Sequence, residues 1–131
     1  MKDHEGAGPG NPAEILADRF LEAMGRRDFA AAETFLAPGF TMTFPGGRRF
    51  TRLAELSEFA QSRYRFVRKR IEAFETVPGE GAQQVWVLGT LEGEWPDGTP
   101  FDGIRFVDRF TVRGDRLVEQ RVWNDLAEFR R

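Results

Sequence analysis

The chain has 131 residues, a formal net charge of −2, no cysteine and a single histidine, His4. That length suits one domain with a core of its own, and the near-balanced charge gives no global field to draw it to nucleic acid or a membrane. Disulfide and thiol chemistry are excluded, and one histidine with no cysteine leaves little from which to build a transition-metal site.

Residues 1–10 are polar and rich in Gly and Pro, with nothing to bury, and are expected to form a disordered tail carrying His4. Residues 11–131 read as a single domain. Asn11-Pro12-Ala13-Glu14 is a helix start: an Asn cap, a Pro at the first helical position, and a Glu able to reach back to the cap. Leu16, Phe20, Ala23 and Met24 then share one helical face, and Gly25 suits the end. Asp28 caps a second, short helix expected to run through Leu36 and to stop at Pro38-Gly39. Phe40 to Phe44 alternates with period two and reads as a strand. Pro45-Gly46-Gly47 turns it towards a short return strand, Arg48 to Phe50. Thr51 is the expected cap of a third helix, with Leu53, Leu56, Ala60 and Tyr64 on one face.

From there the pattern is extended. Strands are expected over Arg65 to Val77, Gln83 to Trp95, Phe101 to Arg113 and Arg116 to Asp125, separated by turns at Pro78-Gly79-Glu80-Gly81, Pro96-Asp97-Gly98 and Gly114-Asp115. Val85, Val87, Leu91 and Trp95 line one face, with Gly89 and Gly93 in the same phase. Glycines inside a strand point to a bulge, a bend or the close approach of something else. The order is α+β, with helices on one face of a curved sheet.

The other face is not purely polar. Trp86 and Leu88 point away from Val85 and Val87, and Val118 and Val122 are expected to point away from Leu117 and Trp123. A sheet with one wet face alternates more cleanly, so the outer face is expected to be covered by a second copy in a homodimer. Thirteen phenylalanines and three tryptophans are enough for both a core and such an interface.

The layout resembles the nuclear transport factor 2-like superfamily, and most closely its SnoaL-like branch of polyketide cyclase-like proteins. The resemblance rests on Phe20-Leu21-Glu22-Ala23-Met24 with Asp28-Phe29, and on Leu36-Ala37-Pro38-Gly39-Phe40. It continues through Gly89-Thr90-Leu91-Glu92-Gly93, Asp97-Gly98, Phe106 to Val112, Gly114-Asp115-Arg116-Leu117 and the closing Trp123-Asn124-Asp125. It implies a cone-shaped roll: a strongly curved antiparallel or mixed β-sheet with three helices from the N-terminal half on its concave face. It also implies a ligand site inside the cone.

In cyclases and epoxide hydrolases of this fold, an aspartate near the end of the last strand acts as acid or base, and Asp125 matches that position. The alternative is a cap for the C-terminal tail or a partner for an arginine. Asp108 is the lone charge in the phase Ile104, Phe106, Asp108, Phe110, Val112. A carboxylate on a buried face must be paired or protonated. Asp108 is therefore either the second of two carboxylates dividing acid and base roles or half of an internal salt bridge with an arginine such as Arg121. Trp123, Trp95, Phe44, Tyr64 and Phe106 are candidate ligand-binding walls, with Tyr64 a hydrogen-bond donor and Arg121 a charged contact. The histidine-based dehydratase mechanism of this superfamily is excluded, since His4 lies in the tail.

The run Arg63 to Arg70 interleaves basic and aromatic residues, but in an acidic chain it reads as a cross-strand-paired face rather than a nucleic-acid surface. No apolar run approaches the ~20 residues of a membrane-spanning helix, and the N-terminus lacks the apolar stretch of a secretory signal, so a cytoplasmic protein is expected. Two functions stand. One is a cofactor-free, metal-free isomerase, cyclase or hydrolase using acid/base carboxylates on a small apolar cyclic substrate. The other is a non-catalytic ligand-binding or dimerisation module of the same fold.

Overall fold

A computed structural model describes residues 8–129 in full and 2–4 as backbone. Helix α1, Pro12–Gly25, starts as its sequence requires: the Asn11 side-chain oxygen accepts from the Glu14 amide at 2.9 Å, and Pro12 takes the first position. Its Ala13, Ala17, Phe20, Leu21 and Ala23 are buried. The helix ends at Gly25, as expected. Arg27 adopts a left-handed backbone (φ 60°), and the Asp28 amide closes the turn onto the Ala23 carbonyl at 2.9 Å. Helix α2, Phe29–Glu33, is capped by Asp28, whose carboxylate accepts from the Ala31 amide at 3.1 Å.

The second helix is shorter than expected. Leu36 already belongs to strand β2, Leu36–Phe44, which runs parallel to the last strand and slips register around Gly39 (φ 80°). Proline and a left-handed glycine sit within this strand, at an irregularity where neither is costly. A 3₁₀ turn at Pro45–Gly47 leads to β3, Arg48–Phe50, antiparallel to β2. Helix α3, Leu53–Gln61, is capped by Glu55 more than by Thr51: the Glu55 carboxylate accepts from the Thr51 and Arg52 amides, each at 3.2 Å. The Thr51 amide bond is the main reason its carboxyl is held below the usual range, against a smaller push upwards from burial.

Strands β4 (Phe66–Val77), β5 (Gln83–Glu94), β6 (Pro100–Arg113) and β7 (Arg116–Asn124) form an antiparallel meander. A last turn of helix, α4, spans Leu126–Phe129. Residues 1–10, expected as a tail, lie partly outside the described residues, as do 130–131. Where described, the backbone of Lys2–His4 forms β1, parallel to β4 with Lys2 opposite Lys69 and His4 opposite Ile71. Among the described residues the sheet order is β1-β4-β5-β6-β7-β2-β3. The sheet is mixed, curved and unclosed, and the helices pack on its concave side.

Two glycines make the curvature possible. A Cβ on Gly89 would sit 1.9 Å from the Arg70 carbonyl oxygen, and one on Gly93 would sit 2.1 Å from that of Phe66. The close approach is therefore by the backbone of β4 itself. Bulges at Glu72 of β4, Asp102 and Gly103 of β6, and Val118 of β7 add to the bend. The core fills the hollow: Phe20 of α1 meets Phe40 of β2 at 6.0 Å and Phe110 of β6 at 5.8 Å between ring centroids.

The bulge at Val118 overturns the expected phase of β7. Val112 pairs with Leu117 but Thr111 pairs with Glu119, so one residue of β7 is left over. Beyond it the inward positions are Gln120 and Val122, both buried, while Arg121 and Trp123 face out. Among the described residues no helix is long and apolar enough to cross a membrane.

Candidate functional site

The hollow of the cone is not filled at its open end. Two adjoining cavities, about 340 and 110 Å³, lie there. They share Phe44, Leu56, Tyr64, Val67 and Lys69, so they are two lobes of one space. Helix α3 supplies Leu56, β4 supplies Val67 and Lys69, and β6 and β7 supply Phe106, Gln120 and Asn124.

Its polar centre is Lys69. The strand phase Val67, Lys69, Ile71 carries this side chain inward, and its ammonium donates to Asp108 Oδ2. Asp108 is fully buried, while the Lys69 side chain keeps 24% of its accessible surface. The ammonium also sits 4.8 Å above the Phe106 ring. Gln120 Nε2 approaches Asp108 Oδ2 at 3.5 Å, a long contact, and Asp108 Oδ1 has no hydrogen-bond partner among the described residues. A carboxylate this deep is tolerable because the ammonium compensates it. Lysine presents three donors; one goes to Asp108, and the side chain lines both lobes.

Tyr64, in the link between α3 and β4, is the other polar side chain common to both lobes. Burial pushes its hydroxyl above the usual phenol range, against a smaller opposing pull from Arg63 and Arg27. It is a neutral donor at ordinary pH.

The sequence-based candidates divide. Phe44, Tyr64 and Phe106 line the space. Asp108 stands behind it, bonded to Lys69 rather than to Arg121. Asp125 lines neither lobe: its Oδ2 accepts from Arg105 Nε at 2.6 Å, and its amide donates to the Arg105 carbonyl at 3.1 Å. With the Arg105 side chain 83% exposed, this is a rim ion pair that anchors the start of α4. Asp108 and Asp125 are not brought together. Asn124, next to it, is the residue that faces the cavity.

Trp123 is 46% exposed on the outer face and stacks on Trp86 at 6.1 Å between centroids. Arg121 is also on that face, donating to Glu119 at 3.1 Å. Trp95 packs on Phe101 at 4.4 Å and lines a separate open groove of about 640 Å³. The site residues missed from sequence are Lys69, Gln120 and Asn124. Lys69 had a signal, since Val67 and Ile71 flank it at period two, but it sits inside a basic run. That run is paired: Arg65 with Glu94 and Arg68 with Glu92, each at 3.6 Å.

No curated protein matches the sequence. Among solved structures, the fold is similar to an NTF2-like protein of unknown function from Burkholderia pseudomallei, at 22% identity over 92% of this chain and 95% of that one, with a TM-score of 0.76. It is similar to TerC co-crystallised with polyporic acid, at 19% identity over 91% and 95% of the two chains, with a TM-score of 0.75. It is also similar to a CaMKII hub from S. rosetta, at 20% identity over 92% and 100%, with a TM-score of 0.72. These likenesses show the NTF2-like fold. The model of the SnoaL-like domain matches residues 17–120, most of the chain and all of the cone's strands but the first and the last few residues; the chain belongs to the SnoaL-like domain family.

Proposed function

We propose that the cone cavity binds a small apolar, ring-bearing molecule with a carbonyl or related oxygen, and that the chain acts on it as a cofactor-free isomerase, cyclase or hydrolase in which Lys69 and Tyr64 hold the developing oxyanion while water admitted to the cavity takes up the proton and returns it. One observation carries this reading: a fully buried carboxylate, Asp108, is committed to holding a single cavity-facing ammonium, Lys69. A core needs no such pair, because a buried ion pair replaced by well-packed apolar residues is often no less stable. A site for a developing oxyanion does need it. Lys69 and the neutral Tyr64 are donors already oriented in a low-dielectric space, where they act strongly on charge that appears during reaction. Asp108 cannot touch the substrate from its depth and serves to position Lys69. The co-crystal of TerC with polyporic acid is a precedent for a small molecule on this fold.

A panel of cyclic ketones, lactones and steroids tests this. Some members should raise the melting temperature and exchange a proton next to the carbonyl for deuterium in heavy water. Replacing Lys69 should slow that exchange by ~10²–10³-fold, the usual cost of losing an oxyanion donor. Binding without exchange would leave a non-catalytic pocket, and no binding would remove both readings.

A second reading concerns assembly, and it rests on the outer face. The Trp86–Trp123 stack, with Leu88 and Val107 in the adjoining row, puts an apolar patch on the convex side. Arg109 lies 5.9 Å above Trp86 and bonds to Glu119 at 3.0 Å along its edge. An apolar centre with a polar rim suits a second copy of the chain packed sheet to sheet. Light scattering at micromolar concentration should give twice the chain mass, and a monomer would defeat the reading.

A further inference from the structure

The two lobes of the cavity are lined by Arg27, Arg63, Arg65 and Lys69 and, among the described residues, by no carboxylate. This is unexpected in a chain with 21 acidic and 19 basic residues. Two of these cations carry their acids behind the wall, Lys69 on Asp108 and Arg65 on Glu94 at 3.6 Å, and Asp97 and Asp102 line the separate groove, which shares only Arg63 with the lobes. Lys69 and Tyr64 line both lobes, Arg63 lines the smaller and Arg27 and Arg65 the larger, and burial's upward push on the Tyr64 hydroxyl is opposed by the charges of Arg63 and Arg27. Arg27 reaches the larger lobe from a left-handed backbone, a conformation a side-chain-bearing residue adopts reluctantly.

A neutral carbonyl needs one or two donors. A cavity that lines its walls with an ammonium and guanidinium groups, and sets their acids behind the wall, presents cationic donors to a ligand that is itself charged. An anion leaving water for apolar walls must find cationic partners there. We infer that the cavity's ligand is an apolar acid, a ring system carrying one carboxylate or acidic enol that is ionised at neutral pH, with its anionic oxygens seated between Lys69 and Tyr64. The inference rests on the proposed cavity function and narrows it. The apolar body lies against Phe44, Leu56, Val67 and Phe106. Lys69, already bonded to Asp108, offers its remaining donors, and Arg27 and Arg63 supply the longer-range field.

Calorimetric titration with three probes of one shape separates the claims: 2-naphthoate, the neutral ketone 2-acetylnaphthalene and the cation 2-naphthylmethylammonium. Naphthoate should bind at least about tenfold more tightly than the ketone, as one charge-assisted hydrogen bond would give, and the cation should not bind. The preference should shrink with added salt and in Arg27→Gln, a surface change that leaves the core intact. It should vanish in the double variant Lys69→Met/Asp108→Leu, which removes the pair without stranding a charge, while ketone binding survives. Ser57→Trp, which places a ring in the larger lobe, should block all binding. If the ketone binds as well as naphthoate and Ser57→Trp blocks it, the cavity reading stands and the anion inference is overturned. If no probe binds, or Ser57→Trp blocks none that does, the cavity reading itself falls and takes the inference with it.

Discussion

At the scale of the residue, the molecule turns on Lys69 and Asp108. Lys69→Met leaves a buried carboxylate without its cation, which typically costs about 3–5 kcal/mol. The double variant with Asp108→Leu should recover most of that loss, since it removes the charge as well as the partner. Urea unfolding of the two proteins checks this, and a single variant as stable as wild type would show that the pair is not formed. Asp125→Asn should behave differently. Its partner Arg105 is almost fully exposed, so the bridge is screened and worth less than about 1 kcal/mol, and cavity binding should be unchanged. Tyr64 adds a pH dependence. Burial raises its folded value above the unfolded one of about 10, so its contribution is complete below that pH and lost as pH climbs through the raised folded value. Alkaline unfolding should begin at a higher pH in Tyr64→Phe than in wild type.

How far such residues can be read from sequence depended on one strand position. Asp108 was legible because every neighbour in its phase is apolar, and a period-two pattern fixes the face of each residue. Its partner was not, because Lys69 lies among Arg65, Arg68 and Arg70, and a charge run looks like a solvated face. Trp123 and Val122 were placed on the wrong faces because the extra residue at Val118 leaves no trace in composition, yet it flips everything after it. That one bulge also moved the closing carboxylate, Asp125, from the cavity to the rim.

At the scale of the element, strands and caps were the most legible parts. Asn11 and Asp28 cap as their chemistry demands, and the four long strands begin and end within a residue of the turn signals. The third helix drew its cap from Glu55 instead of Thr51, and the second gave up its last turn to β2. Gly89 is the element-level test. Its missing side chain lets β4 cross close to β5, so Gly89→Ala forces a methyl into the Arg70 carbonyl. Overpacking of this kind usually costs about 1–3 kcal/mol. Because the obstruction is backbone, the loss should lie at the top of that range or above it. A thermal melt unchanged from wild type would mean that the sheet is less bent than described.

At the scale of the whole molecule, a mixed sheet wraps a core at one end and leaves a space at the other. The SnoaL-like fold was readable from the order and spacing of its pieces, but the fold does not choose a chemistry. The convex face carries the prediction at this scale. If two copies meet there, Trp123→Glu places a carboxylate in the centre of the patch and should yield monomers by light scattering without loss of fold. On the same face, burial would raise the Glu119 carboxyl, but hydrogen bonds and charges from Arg121 and Arg109 outweigh it and hold it below the usual range. That part of the stability is present above the unfolded carboxyl value and is lost as pH falls through the lowered one.

The central claim is that Lys69 meets the ligand inside the cone. Of its 19 basic residues the chain has only two lysines, Lys2 and Lys69, so protein labelled with carbon-13 at lysine gives a side-chain spectrum of two sets of signals. Titration with 2-naphthoate should shift the Lys69 side-chain signals, identified by their absence from the Lys69→Met/Asp108→Leu variant, saturably, and the shift should disappear in Ser57→Trp. Saturable binding of naphthoate that leaves the Lys69 signals unmoved would contradict the account.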